Sequence, residues 1–241
     1  MTSAAALELT QTTVYSPNFR ETVGRLGKAS ITLIEETSGL YHLAQLVGYL
    51  YKGCEKLLGA LPMFTEPQLL LGRMTTTIEL FDLFGFADYW MTGKFKDDRP
   101  CAITGMAMMT FATVGGAALW LGEIGIPAVA EIAAEIGLGV MVTAGVTAGY
   151  AFLAADAIVG IVVAKNSAQR TQAILKLVSY TADAGLHVVV LIMFIPGVNI
   201  PGAIACGIII PLGIVAKGFA IGSFIFSKAY DAEIKNKTKV Q

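Results

Sequence analysis

From Gly202 to Phe226 the chain reads GAIACGIIIPLGIVAKGFAIGSFIF, with Lys217 its single charged residue and Pro211 its single proline. A helix of about 20 residues covers the ~30 Å hydrocarbon core of a bilayer, so this run is long and apolar enough to be a transmembrane helix. Working outward from it, three more apolar runs appear. Ala102 to Leu121 (AITGMAMMTFATVGGAALWL) has no charge at all. Ile136 to Ala164 holds only Asp156 and is long enough to tilt or to extend past the core. Ala182 to Ile195 is shorter and opens with Asp183 and His187. Between the last two lies Pro196-Gly-Val-Asn-Ile-Pro-Gly202, a tight turn of breaker residues. The final two runs therefore form either a full hairpin or a re-entrant one. The expected fold is all-α: a polytopic helical membrane protein with about four transmembrane or re-entrant helices.

The bulk composition agrees. Of the 241 residues, 55% are hydrophobic and 15% charged, with a mean hydropathy of +0.65. A soluble domain carries about 25% charged residues, so this chain lacks the polar surface to dissolve. The charges are also unevenly spread. Residues 1–100 hold nine Lys or Arg and eleven Asp or Glu, whereas Cys101 to Ala164 has no basic residue.

The cations mark an orientation. Lys94, Lys96 and Arg99 precede the first run, and Lys165, Arg170 and Lys176 follow the second. Lys228, Lys235, Lys237 and Lys239 follow the fourth. The intervening loops have none; the first of them carries Glu123, Glu131 and Glu135. By the positive-inside rule both termini and the middle loop are expected in the cytoplasm.

The region before the apolar half reads differently. Residues 1–16 have neither a basic n-region nor an apolar h-region, so they are expected to be a flexible leader rather than a signal peptide. Ser16-Pro17 is a helix start, followed by an apolar stripe at Phe19, Val23, Leu26 and Leu33. Leu40, Leu43, Val47, Leu50, Cys54, Leu57 and Leu61 then recur at alternating steps of three and four. Such a heptad seam is expected to be buried against another helix or a partner. It stops at Pro62, and a further stripe at Leu71, Met74, Ile78 and Phe81 predicts an αα-hairpin. Tyr89, Trp90 and Phe95, with Lys94 and Lys96, read as an interfacial belt before the first span. The expected organisation is a leader at 1–16 and a cytoplasmic or interfacial amphipathic helical region at 17–100. A transmembrane region at 101–227 and a basic cytoplasmic tail at 228–241 complete it.

Signatures of chemistry are sparse. There is no GxxxxGK[ST], GxSxG, HExxH or EF-hand loop. Two histidines and the scattered Cys54, Cys101 and Cys206 offer no metal or disulfide framework. A net charge of −1 gives no case for nucleic acid. Neither an enzyme nor a cofactor is expected. Asn236-Lys-Thr238 has the spacing of a glycosylation acceptor, but the charge rule assigns it to the cytoplasm. Within the spans, Gly145 with Gly149 and Gly218 with Gly222 form GxxxG pairs that let helix backbones approach, within the chain or in a homo-oligomer. Asp156 and Lys217 lie at matched depths below the cationic loops, roughly 13 to 17 Å at about 1.5 Å per residue. Intramembrane charges tend to pair or face water, so Asp156 and Lys217 are expected to form an ion pair, as a clamp or as part of a polar path. Asp183 and His187, four apart on one helix face, predict a local hydrogen bond.

In layout the chain resembles the inclusion membrane proteins of chlamydiae. The features that carry this are the Ser/Thr-tinged leader Met1 to Asn18 and apolar lobes around Gly122 to Glu135 and Pro196 to Gly202. The stretch Leu175-Lys-Leu-Val-Ser-Tyr-Thr-Ala-Asp-Ala-Gly-Leu-His187 is similar in style to the leucine-rich segment of the peroxisomal elongation peroxins. The first resemblance implies a host membrane with both termini in the cytosol, and the second an organelle membrane with a membrane-embedded C-terminal half. The expected function is a non-enzymatic membrane anchor, scaffold or organiser whose N-terminal helices bind a cytoplasmic protein or the bilayer surface. The alternative is a small channel or transporter that uses Asp156 and Lys217.

Overall fold

The computed structural model describes residues 19–58, 82–123 and 126–235. The leader, Ser16-Pro17, Leu61, the turn at Pro62, the stripe from Leu71 to Phe81 and Asn236 to Thr238 lie outside the described residues. All regular structure among the described residues is helical. In chain order it comprises α1 (Phe19–Glu35), α2 (Thr37–Leu58), α3 (helical at 82–91), a 3₁₀ turn (Lys94–Asp97) and α4 (Pro100–Glu123). There follow α5 (Pro127–Glu135), α6 (Leu138–Val163), α7 (Ser167–Met193), α8 (Gly202–Ala229) and α9 (Asp231–Lys235).

Among the described residues, four helices are long and apolar enough to cross a membrane: α4, α6, α7 and α8. The chain is a polytopic helical membrane protein. Two boundaries differ from the hydropathy reading. Ile136 does not begin a span: Pro127 starts the short helix α5, and Gly137 turns the chain at a φ of +61° before α6. That left-handed conformation suits glycine. The third span is not short. α7 runs for 27 residues from Ser167, so Arg170 and Lys176, expected in a loop, lie on the helix. At about 1.5 Å per residue α7 is roughly 40 Å long, enough to cross fully. Its first three turns mix charged and apolar residues, which hides a helix from a hydropathy window. Asn166 caps its start by accepting from the backbone N–H of Gln169 at 2.8 Å.

The long helices pack in sequence order, α4 on α6, α6 on α7 and α7 on α8. The N-terminal helices complete the bundle rather than forming a separate region. α1 and α2 both pack on α8. α2 runs antiparallel along it, from the Glu36–Lys228 ion pair at one end, past Tyr49 against Gly213, to Gly53 beside Ile210. α3 lies along α4, where Trp90 Nε1 donates to Thr110 Oγ1 at 3.0 Å. α1 and α2, within the region expected at 17–100, thus pack on a helix that follows residue 100.

The charged loops gather at one end. There Arg25 pairs with Glu233 at 2.6 Å, and Asn166 Nδ2 donates to the Glu233 carbonyl at 2.9 Å. The other end holds α5, with Glu131 and Glu135, and the turn at 194–201, neither of which carries a Lys or Arg, and the Lys52 to Lys56 end of α2 lies toward it.

Candidate functional site

α2 shows how the local sequence builds an interior. The seam that was expected to be buried faces outward: Leu50 is 47% exposed, Leu57 is 86% exposed and Cys54 is exposed, while Leu40, Leu43 and Val47 are half-buried. The opposite side of the helix, with Tyr41, His42, Gln45 and Tyr49, turns into the bundle. In water the reverse would hold. Beside lipid, an outward leucine row costs nothing, and polar groups gain by pointing inward toward partners. This inversion is the physical reason Leu50, Cys54 and Leu57 are not buried against another helix of this chain.

These side chains line a cavity of about 280 Å³ shared with α3, α4, α6, α7 and α8. At its wall Lys217 Nζ donates to Asp183 Oδ1 at 2.7 Å, with side chains 3% and 2% exposed. Lys217 also sits 5.7 Å over the Tyr150 ring, and Tyr150 is 5.8 Å from the His187 ring. His187 Nδ1 lies 2.7 Å from the Asp183 carbonyl, the local hydrogen bond expected from the i, i+4 spacing. Next to this pair, Ser179 Oγ donates to the Ala216 carbonyl at 3.0 Å. Buried His42 Nδ1 and Gln45 Oε1 have no hydrogen-bond partner among the described residues. The cavity is thus polar, with an ion pair and two unpartnered polar atoms on its walls.

Asp156 and Lys217 do not pair. Asp156 is taken by Arg99, whose Nε and Nη2 donate to its two carboxylate oxygens at 2.6 and 2.8 Å; Nη2 also donates to the Asp156 carbonyl at 3.0 Å. Those hydrogen bonds raise the Arg99 pKa above its ordinary value. Depth was matched, but α6 and α8 lie on either side of α7, and α7 supplies Asp183 for Lys217. The sequence marked Arg99 only as one of the orienting cations and Asp183 only as a hydrogen-bond neighbour of His187, so both true partners were missed. The signal that could have found them is the i, i+4, i+8 phase of Ser179, Asp183 and His187 on α7.

The two GxxxG pairs also separate. Gly145 and Gly149 are buried against α4: a methyl on Gly149 would lie 2.8 Å from Met109 Sδ, and one on Gly145 would lie 3.2 Å from Phe111. They serve intramolecular packing. Gly218 and Gly222 have open space beside them. The expected belt forms a ring cluster: Trp90 lies 5.0 Å from Tyr89 and 5.5 Å from Phe95. Among the described residues no group of His, Cys, Asp and Glu is arranged to hold a metal ion.

A second hollow, a cleft of about 320 Å³, opens at the cation-rich end between α4, α6 and α7, with Arg99, Lys165 and Lys176 on its walls. Compared with family models, curated proteins and solved structures, the chain matches none.

Proposed function

We propose that the protein is a non-enzymatic, membrane-embedded scaffold that organises the bilayer around it. The observation that carries this reading is the outward apolar surface of the N-terminal helices. α1 exposes Val23, Ile31 and Ile34, and α2 exposes Leu50 and Leu57, while both helices are held on α8. Arg20, Lys28, Lys52 and Lys56 flank those rows. α1, held at the Lys228 end of α8, has the apolar row and cations of a helix at the lipid interface, while α2 lies lengthwise on α8 and turns its outer leucines to the acyl chains; together they would widen the four-span body on one side. The bilayer is then the main partner. The open Gly218–Gly222 face is where a second copy would pack. A cytoplasmic protein is the other occupant the seam could take. On the positive-inside rule the cation-rich end and both termini face the cytoplasm. On the layout resemblance the membrane is an inclusion or other intracellular organelle membrane.

The test is reconstitution of the full chain into liposomes of phosphatidylcholine with phosphatidylserine. Vesicle narrowing or tubulation should grow with protein density. The double variant Leu50→Asp/Leu57→Asp should lose it while the four spans stay inserted. Vesicles that keep their size and shape at high protein density would refute this reading.

A second reading, a path for a small polar solute, is favoured by one observation: the cavity walled by Lys217, Asp183, His42 and Gln45. Release of a trapped dye or an ion current from sealed liposomes, abolished by Lys217→Met, would support it over the scaffold.

A further inference from the structure

Beside the central cavity lies a third hollow, of about 230 Å³, between α2, α6, α7 and α8. His42, Tyr150 and Asp183 are walls of both, so the two spaces adjoin with these side chains between them. From that shared wall they run in opposite directions. The third hollow follows α8 from the level of Lys217 to Ser227, ten residues or about 15 Å toward the cation-rich end. The central cavity follows α6 from Tyr150 back to Val142, eight residues or about 12 Å toward α5. Lys217 Nζ stands 5.7 Å from the Tyr150 ring, so the two lengths start at one level. Together they cover about 27 Å, close to the ~30 Å of a hydrocarbon core.

The lining is polar without an excess of either charge. Its acidic groups are Asp82 and Asp183, and its basic groups are Lys176 and Lys217. Asp183 and Lys217 hold each other at 2.7 Å beside the junction. An ion entering here meets no surplus of the opposite sign and must compete with that pair for a partner. Pores that pass ions are lined instead by rings of one charge or of backbone carbonyls. What these walls offer is hydroxyl, amide and imidazole. Ser179, Tyr180, Ser223 and Ser227 line the third hollow, and Gln45, Tyr49 and Thr113 line the central one. Ser179 and Ser227 donate to backbone carbonyls at 3.0 and 2.9 Å, which leaves their oxygens able to accept. Buried polar atoms without a partner, as at His42 and Gln45, are costly. A solute carrying O–H or N–H groups supplies the missing partners. Each hollow is several times the ~30 Å³ share of one water molecule, so a solute of a few heavy atoms fits.

We infer that the two hollows form one path for a small neutral solute rich in hydroxyl or amide groups, of the size of glycerol or urea, and that the path excludes ions. His42 and Tyr150, on the shared wall, are the side chains that must turn to let the solute pass. The inference rests on the solute-path reading and adds the class of solute.

The experiment uses the full chain at low density in sealed liposomes of phosphatidylcholine with phosphatidylserine. Light scattering after a glycerol jump reads glycerol entry, and an electrode reads potassium release from the same vesicles. Glycerol entry should be several-fold faster than in protein-free vesicles, with potassium release unchanged. Ser223→Leu, which fills the third hollow, and Gln45→Leu, which strips the central one of its amide, should each return entry to the protein-free rate. Gln45→Leu carries the test where Ser223→Leu does not insert. Ser223→Ala, which keeps the space, should retain the entry, and Lys28→Gln on α1 should leave it unchanged. A gain in glycerol entry indifferent to both leucine variants overturns the inference. A potassium flux that Lys217→Met abolishes, with or without glycerol entry, keeps the solute path and overturns its neutral selectivity. Absence of both fluxes overturns the path itself and leaves the scaffold reading standing.

Discussion

The α4–α6 and α7–α8 interfaces join helices of similar length and hydropathy by different means. α4 and α6 meet through small residues: Gly149 lies against Met109, and a methyl on Gly105 would stand 2.8 Å from Leu153. Their one ion pair, Arg99–Asp156, sits near the end of the bundle with side chains 39% and 21% exposed. α7 and α8 place their pair, Asp183–Lys217, in the interior, with side chains 2% and 3% exposed. The first interface gains from close backbone approach and keeps its charges where solvent screens them. The second places two full charges where each depends on the other. Equal hydropathy therefore conceals unequal dependence on single residues.

The largest effect is expected at Asp183 and Lys217. Lys217→Met or Asp183→Leu alone should cost roughly 3 to 5 kcal/mol, because one buried charge is left unpaired. The double variant should regain most of that. Denaturant titration in detergent checks it; full loss in the double variant would mean that the pair does more than neutralise itself. A double-mutant cycle on Asp156 and Lys217 should show additivity within about 0.5 kcal/mol, since the two share no partner.

The next effect is steric. Gly149→Leu should destabilise by about 1 to 3 kcal/mol through overpacking against Met109 and Gly105. Gly222→Leu, with open space beside it, should change monomer stability by less than about 0.5 kcal/mol. Equal losses at the two sites would erase the distinction between packed and open glycine faces. Loss of a cross-linked dimer in Gly222→Leu alone would place a second copy on that face.

Breaking the outer pair should matter less. Arg99→Gln should cost about 1 kcal/mol, the range of a partly solvated ion pair, and the cost should shrink as salt rises. A loss as large as that of Lys217→Met would place Arg99 in a dry environment.

The smallest effect depends on pH. The Arg25 hydrogen bond holds the Glu233 carboxyl below its usual range, and Arg25 is raised by the same contact. A lowered carboxylate pKa means that the contact contributes above the unfolded value. The contribution is lost as pH falls through the folded value. Hydrogen exchange in α9 should therefore quicken below about pH 4 relative to its intrinsic acid dependence. In Glu233→Gln it should already be faster at neutral pH. Identical profiles for the two proteins would remove Glu233 from the docking of α9.

The four spans were legible because each is a run of apolar residues with a charge at its edge. That pattern depends only on transfer out of water, which sequence records residue by residue. The start of α7 was not legible, because its first turns carry Arg170 and Lys176 on a helix that is half solvated. The direction of α2 was misread for a related reason. Its leucine row has the period of a buried seam, and period alone does not say whether protein or lipid lies outside. The pairing of charges was the least legible. Depth follows from counting residues, but partner choice follows from helix rotation and neighbour order, and α7 sits between the helices of Asp156 and Lys217. Each cleft draws on segments far apart in the chain, so no linear motif could announce it.

The lengthwise docking of α2 on α8 links residues about 160 to 190 positions apart, as Glu36 with Lys228 and Tyr49 with Gly213. During synthesis α1 and α2 leave the ribosome long before their binding surface exists. Contacts so distant in sequence form late. Until α8 emerges, the inward row of His42, Gln45 and Tyr49 has no lid over it. The nascent chain must keep these two helices waiting at the membrane surface, and α8 acts as the keystone that draws them in. A chain stopped before Gly202 should therefore insert its first spans yet leave α2 open to protease, while the complete chain protects it.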